Sequence, residues 1–338
     1  MKAAAARLDA DLAVWGPQAA ASPATAAAAR DWVVALTRSR AGGGGENFPV
    51  LSRLLPADLR DDFAAVYAFC RWADDLADHS GSPARALGRL AWWRDELHRG
   101  FAGDPHHPVF VALAPVIARR GLVREPFDHL IDAFEQDQRV TRYADLPALV
   151  DYCRRSADPV GRIVLRLYGL DDDGRAELSD ATCTALQLTN FWQDVRRDVL
   201  ERGRVYLPAD VAARHGLDLG LMVRQMKLEA AVACGRGGGS RCPPPRLGKV
   251  AAPDFMPAYR AAVREMVAEA RERFVAGRGL WPRVPPRLRG GLRAFTLGGE
   301  AVLTKIERRR FDTYTSRPRV GRVGKAWVLV RALVGSRK

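Results

Sequence analysis

The chain has 338 residues, of which 48% are hydrophobic, and a formal net charge of +14. It contains no apolar run of the roughly 18 residues that a membrane-spanning helix needs, and its five cysteines lack the spacing of a disulfide framework or a zinc site, so a reducing cytoplasm is expected. The positive charge is compatible with nucleic acid, an anionic membrane surface or a phosphorylated small molecule, and it does not choose among them.

The N-terminal stretch is rich in alanine, but Asp9 and Asp11 interrupt the apolar run that a secretory signal needs. We interpret residues 1–28 as a flexible arm and residues 29–318 as one catalytic domain. From residue 31 onward apolar residues recur at intervals of three and four, separated by Gly/Pro clusters, and alternating strand patterns are absent. The predicted class is therefore all-α, with helices near 57–79, 84–100, 108–120, 125–138, 146–169, 176–199, 256–276 and 286–314.

Two segments near the C-terminus depart from this helical pattern. Residues 235–253 are too rich in glycine and proline for regular structure, and we interpret them as an exposed loop or insertion within the domain. Residues 319–338 form a basic tail with a short amphipathic patch around Trp327. This patch is either a helix that caps the domain or a contact with an anionic membrane surface.

Three aspartates stand in the stretch 67–81, YAFCRWADDLADHSG, which otherwise suits a buried helix. At about 100° per residue, one narrow face carries Tyr67, Arg71, Asp74 and Asp78, with Asp75 at its edge. A solvated face of an amphipathic helix explains this single motif equally well.

A second polar face lies in the stretch 185–208, ALQLTNFWQDVRRDVLERGRVYLP, and carries Gln187, Asn190, Asp194 and Asp198. Asparagine and aspartate form helices poorly, so their regular spacing inside a helix requires a reason. If the two acidic helices face each other, their carboxylates need a cation to neutralise them. Because all these ligands are hard oxygens, the pattern indicates Mg²⁺ bridging to a diphosphate rather than zinc.

The surroundings of the second motif indicate which diphosphate it would hold. Phe191, Trp192 and Val195 supply apolar bulk beside the carboxylates. A cavity of this kind suits an isoprenoid diphosphate, which ionises to a carbocation that apolar walls protect from water. Tyr67 and Tyr206 fit either a buried hydrogen-bonding role or a role in the active site.

Four stretches resemble the squalene and phytoene synthase family of the trans-isoprenyl diphosphate synthases. They are YAFCRWADDLAD, DYCRRSADPVG, LQLTNFWQDVRRD and GRVYLP, and the resemblance extends over about residues 47–318. It implies a single-domain isoprenoid synthase fold, a helical bundle around a central apolar cavity with two facing aspartate-rich helices.

The resemblance also implies roles for individual residues. Asp74, Asp78, Asp194 and Asp198 would bind Mg²⁺, with Asp75, Gln187 and Asn190 in support. The remaining implied contacts to substrate or diphosphate are those of Tyr67, Arg71 and Arg317, with Tyr206 as a polar wall residue.

The chain departs from the condensing members of this family where they hold a second diphosphate. It reads GGENFPV at 44–50 in place of a Ser/basic/Ser-Phe stretch, and Gln193 stands where an arginine is usual. Arg154 and Arg155 follow the YC pair, where squalene synthases have a tyrosine. The ENFPV opening and the stretch NFWQDV resemble the bacterial hydroxysqualene synthase branch of hopanoid biosynthesis, whose members convert presqualene diphosphate to hydroxysqualene by loss of diphosphate and capture of water. The expected cofactor is Mg²⁺ without NADPH.

Other functions remain open at the level of sequence. The first keeps the fold and condenses two prenyl diphosphates head to head, as squalene or phytoene synthases do. The second is a catalytically silent assembly factor whose basic surface binds a membrane or a partner. Nucleic-acid binding is not expected, the location is cytoplasmic with possible membrane association, and the sequence assigns no oligomeric state.

Overall fold

The structure is a computed structural model that describes residues 2–19, 25–41, 56–235 and 254–321, together with positions 324, 327, 328, 331 and 332. Within this part of the chain, helices dominate, and an isolated bridge between Arg142 and Val205 is the only β pairing. The all-α prediction is therefore confirmed. No described helix combines the length and the apolarity that a bilayer crossing needs.

The helices are numbered in chain order, and two short 3₁₀ turns and one π-helical turn accompany them. The α-helices are α1 Lys2–Trp15, α2 Ala26–Ala41, α3 Arg60–Asp78, α4 Pro83–Phe101, α5 Pro108–Arg120, α6 Glu125–Gln136, α7 Leu146–Ser156, α8 Asp158–Leu167, α9 Asp173–Arg197, α10 Ala209–Arg214, α11 Leu219–Gly235, α12 Phe255–Gly277 and α13 Pro286–Arg308. The 3₁₀ turns are Ala57–Leu59 and Arg278–Arg283, and the π-helical turn is Asp198–Arg202.

Two of the predicted helices differ from the observed ones for identifiable reasons. The helix expected over 146–169 is divided, because Pro159 has no N–H and its ring would clash with the carbonyl of Arg155 in a continuous helix. The helix expected to reach residue 314 ends at Arg308, where Arg310 and Phe311 adopt positive φ angles of 53° and 60°. Such left-handed backbone cannot continue an α-helix.

The N-terminal segment differs from the flexible arm that we expected. Residues Lys2–Trp15 form α1, whose Leu8 is 3% exposed and whose Asp9 accepts a 3.2 Å hydrogen bond from Arg89. Alanine has the highest helix propensity, which favours helical backbone here. Burial of the Leu8 side chain further stabilises the helix against the rest of the unit. The predicted loop at 235–253 lies outside the described residues after Gly235, as does most of the basic tail.

The chain divides into two compact units. The first unit comprises Met1–Arg139, Arg155–Asp180 and Pro282–Gly291, and the second comprises Val140–Arg154, Ala181–Trp281 and Leu292–Lys338. The domain boundaries at 28/29 and 318/319 stay predictions.

Helix α3 is the centre of the first unit, where it packs against α2, α4, α5 and α6. Its apolar face places Phe63, Phe69 and Leu76 in the core. On the same helix, Asp62 is 1% exposed and accepts hydrogen bonds from Arg119 at 2.5 Å and Arg120 at 2.7 Å. A buried carboxylate is tolerated only when it is paired in this way, so these contacts fix α3 against α5.

An aromatic cluster around His107 adjoins this core. The imidazole lies against Trp72 and Trp93, with ring centroids 4.5 and 4.9 Å away, and its Nδ1 accepts a hydrogen bond from the backbone N–H of Val109 at the start of α5. Burial lowers the pKa of His107 to about 3. The ring is therefore neutral in the folded chain at any ordinary pH.

We predict that His107 makes folding depend on pH. The unfolded chain takes up a proton below about pH 6.5 while the folded chain does not until about pH 3, so stability falls as the pH falls through this window. Between pH 7 and pH 5 the wild type should lose about 2 kcal/mol more than His107→Asn, which keeps a capping oxygen but does not titrate. Urea unfolding at the two pH values measures this, and equal losses in both proteins would contradict it.

Candidate active site

In the first unit, one guanidinium joins two aspartates of the first motif. On α3, Arg71 contacts Asp74 at 3.0 Å and donates a 2.7 Å hydrogen bond to Asp75. Asp75 is 4% exposed, while Tyr67, Asp74 and Asp78 are half-buried. The opposite side of the helix lies in the core, so α3 presents these polar groups in a fixed orientation.

Cys70 lies on the same helix, one turn before Asp74. Burial, together with the charge of Asp74, raises the pKa of Cys70 to about 12. The thiol therefore stays protonated and is not a nucleophile. The polar chemistry of this helix rests on its aspartates, Tyr67 and Arg71.

In the second unit, each aspartate of the second motif also has an arginine partner. Asp194, on α9, accepts hydrogen bonds from both Nε and Nη2 of Arg317, the second at 3.0 Å. Asp198 is 5% exposed and accepts a 2.9 Å hydrogen bond from Arg202. Burial raises the pKa of Asp198 to about 7 against the opposing effect of Arg202, so this carboxyl is held in a poorly solvated position.

A π-helical turn ends the second motif. It spans Asp198–Arg202 and is closed by Gly203, whose φ of 68° lies in the left-handed region that favours glycine. Single π-helical turns inside α-helices occur often at functional sites. Here the turn begins at Asp198 itself, so the widened backbone belongs to the acidic motif.

An aromatic wall adjoins the second motif. The rings of Phe191 and Tyr206 stack with centroids 3.8 Å apart at an interplanar angle of 11°. Tyr143 and Tyr152 complete the cluster, with centroids 5.9 and 6.1 Å from that of Tyr206. Tyr206 is thus buried and stacks on Phe191, which lies one turn before Asp194 on α9. Its role as a wall residue of the substrate site stays a prediction.

The predicted site residues on the two acidic helices form one set in each unit. Tyr67, Arg71, Asp74, Asp75 and Asp78 share α3 in the first unit. Gln187, which is half-buried, and Asn190, which is exposed, precede Asp194 on α9 in the second unit. That the two acidic helices face each other stays a prediction.

Sequence reasoning missed Arg202 and two members of the aromatic wall. Arg202 stands four residues after Asp198, the same spacing that joins Arg71 to Asp75, so the rule for helical charge pairs could have found it. Tyr143 and Tyr152 come from another part of the chain, and no local pattern connects them to Tyr206.

The residues of both motifs suit Mg²⁺ in their donor chemistry, since all are carboxylate or amide oxygens. Among the described residues, no group of three or more His, Cys, Asp or Glu side chains is close enough to hold a metal ion. Arginine neutralises Asp74, Asp75, Asp194 and Asp198.

Comparison with known proteins assigns the class. The model of the squalene/phytoene synthase family matches residues 41–235 and 246–324, which is most of the chain. The chain belongs to the squalene/phytoene synthase family, as the paired motifs predicted.

Individual relatives at similar identity carry the names of different reactions of the family. A hydroxysqualene synthase of Zymomonas mobilis is 35% identical over 202 residues, covering 56% of this chain and 65% of that protein. A presqualene diphosphate synthase of Rhodopseudomonas palustris is 35% identical over 174 residues, covering 51% and 62%. The matched region therefore spans less than two thirds of the length of these relatives.

A solved structure extends the likeness over more of the chain. The squalene synthase HpnC from Alicyclobacillus acidocaldarius is 38% identical, with a TM-score of 0.69, and the match covers 84% of this chain and 94% of that one. A dehydrosqualene synthase with a TM-score of 0.73 is 20% identical and supports the fold alone. The isoprenoid synthase fold expected from the motifs is thus confirmed.

We predict that the aromatic ring of Tyr206 stabilises the folded chain more than its hydroxyl group does. Tyr206→Phe keeps the stack on Phe191 and should unfold within about 1 kcal/mol of the wild type. Tyr206→Leu loses the stack and should be less stable than the Phe variant by about 1 to 2 kcal/mol. Urea denaturation compares the three proteins, and equal stability of the two variants would disprove a stabilising stack.

Proposed function

We propose that the chain converts presqualene diphosphate to hydroxysqualene and diphosphate. A relative from Zymomonas mobilis is named as a hydroxysqualene synthase, which supports this product. This places it among enzymes that act on prenyl diphosphates, in the synthesis of squalene and hopanoids. The proposal rests on the acidic motifs, on the aromatic wall and above all on one position at which the chain departs from the condensing members that it resembles.

That position is Gln193. The condensing members that the sequence resembles usually carry an arginine immediately before the first aspartate of the second motif. Here the side chain is 8% exposed, its Nε2 donates a 2.6 Å hydrogen bond to the carbonyl of Pro318, and its Oε1 accepts one from Arg317 at 3.4 Å. A buried, engaged amide adds no positive charge for a second diphosphate. This favours a substrate that carries only one diphosphate.

The other departure from the condensing members, the GGENFPV stretch at 44–50, lies outside the described residues. Gln193 is therefore the structural observation that favours one diphosphate, and GGENFPV favours it at the level of sequence.

In the proposed reaction, Asp74, Asp78, Asp194 and Asp198 would hold Mg²⁺, with Asp75 and Asn190 beside them. The ion, when bound, offsets the charge of the diphosphate. Arg71 contacts Asp74 and Arg317 contacts Asp194, and these two guanidinium groups would donate hydrogen bonds to the diphosphate oxygens.

The bond that breaks joins carbon to the diphosphate oxygen, and the diphosphate leaves with the electron pair. The resulting cyclopropylcarbinyl cation rearranges, and a carbon–carbon bond of its three-membered ring breaks as the oxygen of a water molecule bonds to the cation. Loss of one proton from that oxygen gives the linear alcohol. One water is consumed and one diphosphate and one proton are released, so no reductant is required. Phe191 and Tyr206 offer π faces that stabilise a nearby cation and exclude other water.

A second candidate function follows from the second relative. The presqualene diphosphate synthase of Rhodopseudomonas palustris is as similar in sequence as the hydroxysqualene synthase. The alternative is thus condensation of two prenyl diphosphates on the same fold and metal site.

We predict that the chain with Mg²⁺ and without NADPH forms hydroxysqualene from presqualene diphosphate and leaves farnesyl diphosphate intact. Each substrate is incubated separately, and the organic-soluble products are identified by mass spectrometry. Consumption of farnesyl diphosphate would instead establish a condensing enzyme, and no reaction with either substrate would support the assembly-factor alternative.

We predict that Asp74→Ala and Asp194→Ala each lower kcat by roughly a thousand-fold, because each loses a ligand to the ion that stabilises the leaving diphosphate. The matched control is Asp61→Ala, an exposed aspartate in the first turn of α3 outside the acidic face. Its kcat should equal that of the wild type. Circular dichroism checks that all three variants fold, and normal turnover in either motif variant would overturn the metal assignment.

A further inference from the structure

The segment that follows α13 returns to the second acidic motif. Arg310 and Phe311 both have left-handed backbone, which turns the chain away from the helix axis. Beyond the turn, the hydroxyls of Thr313 and Tyr259 lie 2.8 Å apart, and the Tyr314 hydroxyl donates a 3.1 Å hydrogen bond to Glu229. These buried contacts fix the course of residues 312–318, which we name the return segment.

The return segment ends at the carboxylate of Asp194. Arg317 directs two nitrogens of its guanidinium at the two oxygens of this carboxylate, in the bidentate geometry of strong arginine–carboxylate pairs. Arg317 is 29% exposed and Asp194 13% exposed at the side chain, so water screens the pair only in part.

Gln193 hydrogen-bonds both to the backbone beside Arg317 and to the guanidinium of Arg317. Its amide donates to the carbonyl of Pro318 and accepts from the same Nη2 of Arg317 that contacts Asp194. A single buried side chain therefore holds the backbone next to Arg317 and orients the guanidinium.

We propose that Gln193 and Arg317 form a latch in which Arg317 takes the place of a cation on Asp194 and is transferred to the diphosphate when Mg²⁺ binds. This inference rests on the proposed function. The bidentate guanidinium places a positive charge directly against both oxygens of the carboxylate. An Mg²⁺ ion bound to the same carboxylate is repelled by that charge, so binding of the ion favours departure of Arg317. The released guanidinium then carries an unpaired positive charge close to the site where the diphosphate is held.

The latch has a thermodynamic consequence. Arg317 competes with Mg²⁺ for Asp194 while no diphosphate is present, and it assists diphosphate binding once the ion is there. By linkage, each ligand then favours the other, so the site binds ion and diphosphate together better than either alone. In this arrangement Gln193 is a positioning residue, because it acts through Arg317.

The experiment is calorimetric titration of the full chain with MgCl₂ alone, and then with inorganic diphosphate at saturating Mg²⁺. Arg317→Gln should bind Mg²⁺ about five-fold more tightly and diphosphate about five-fold more weakly than the wild type, the effect of an ion pair worth about 1 kcal/mol. Gln193→Leu keeps the volume but loses both amide contacts, so it should shift the two affinities in the same directions by roughly two-fold.

The matched control is Arg308→Gln, which removes the same charge from an exposed position at the end of α13. Its affinities for both ligands should equal those of the wild type. A merely structural role of Arg317 or Gln193 would lower both affinities, so the opposite signs identify the latch. Unchanged or weaker Mg²⁺ binding by Arg317→Gln overturns it, as does a lack of Mg²⁺ binding by both proteins.

Hydrogen exchange supplies a second readout on the wild type alone. Amides of the return segment should exchange faster with Mg²⁺ and inorganic diphosphate than without them, and unchanged exchange overturns the latch. None of these measurements uses a prenyl substrate. A chain that shows the opposed affinities but does not turn over presqualene diphosphate would refute the proposed function and leave the latch in place.

Discussion

The structure depends on the pairing of poorly solvated carboxylates with arginine. A carboxylate in an apolar helix is costly unless a cation or several donors satisfy it, and this chain supplies guanidinium groups at the required places. Asp62 in the core of the first unit is held by Arg119 and Arg120. The same solution recurs at Asp75 and Asp198, each with an arginine four residues away on the same helix. Several of the arginines thus stabilise the fold by pairing with poorly solvated carboxylates.

The same pairing bears on the proposed function. Arginine neutralises the paired carboxylates of the motifs in the structure, and a divalent cation would do so in the proposed reaction. Exchange of one for the other would move a positive charge from these aspartates toward the proposed diphosphate substrate. A metal-binding site that is neutral before the ion arrives avoids the repulsion that several bare carboxylates would suffer.

Aromatic packing forms the second element of the site. Phe191 stands three residues before Asp194 on α9, and Tyr206 follows the π-helical turn that ends the motif. One residue of the stacked pair therefore precedes the two aspartates in sequence, and the other follows them. In the proposed reaction, the diphosphate and the carbocation form close together. The acidic motif with its cations suits the diphosphate, and the adjacent aromatic rings suit the carbocation.

The sequence by itself determined the helical class, the positions of most helices and the two acidic faces, because all of these depend on periodicity along one helix. Family membership followed from the same local motifs. The α1 helix was missed because alanine-rich composition does not reveal whether a residue such as Leu8 finds a surface to pack on. The division at Pro159 was not recognised, although proline chemistry accounts for it.

Only the tertiary structure decided the partners of the site residues. Arg317 meets Asp194 because the chain turns at Arg310 and Phe311, and the return segment then brings residues distant in sequence together. Gln193 was visible as a departure from a pattern, but its two hydrogen bonds depend on that same turn. Long-range contacts of this kind are fixed by packing of whole elements, and no local property of the sequence specifies them.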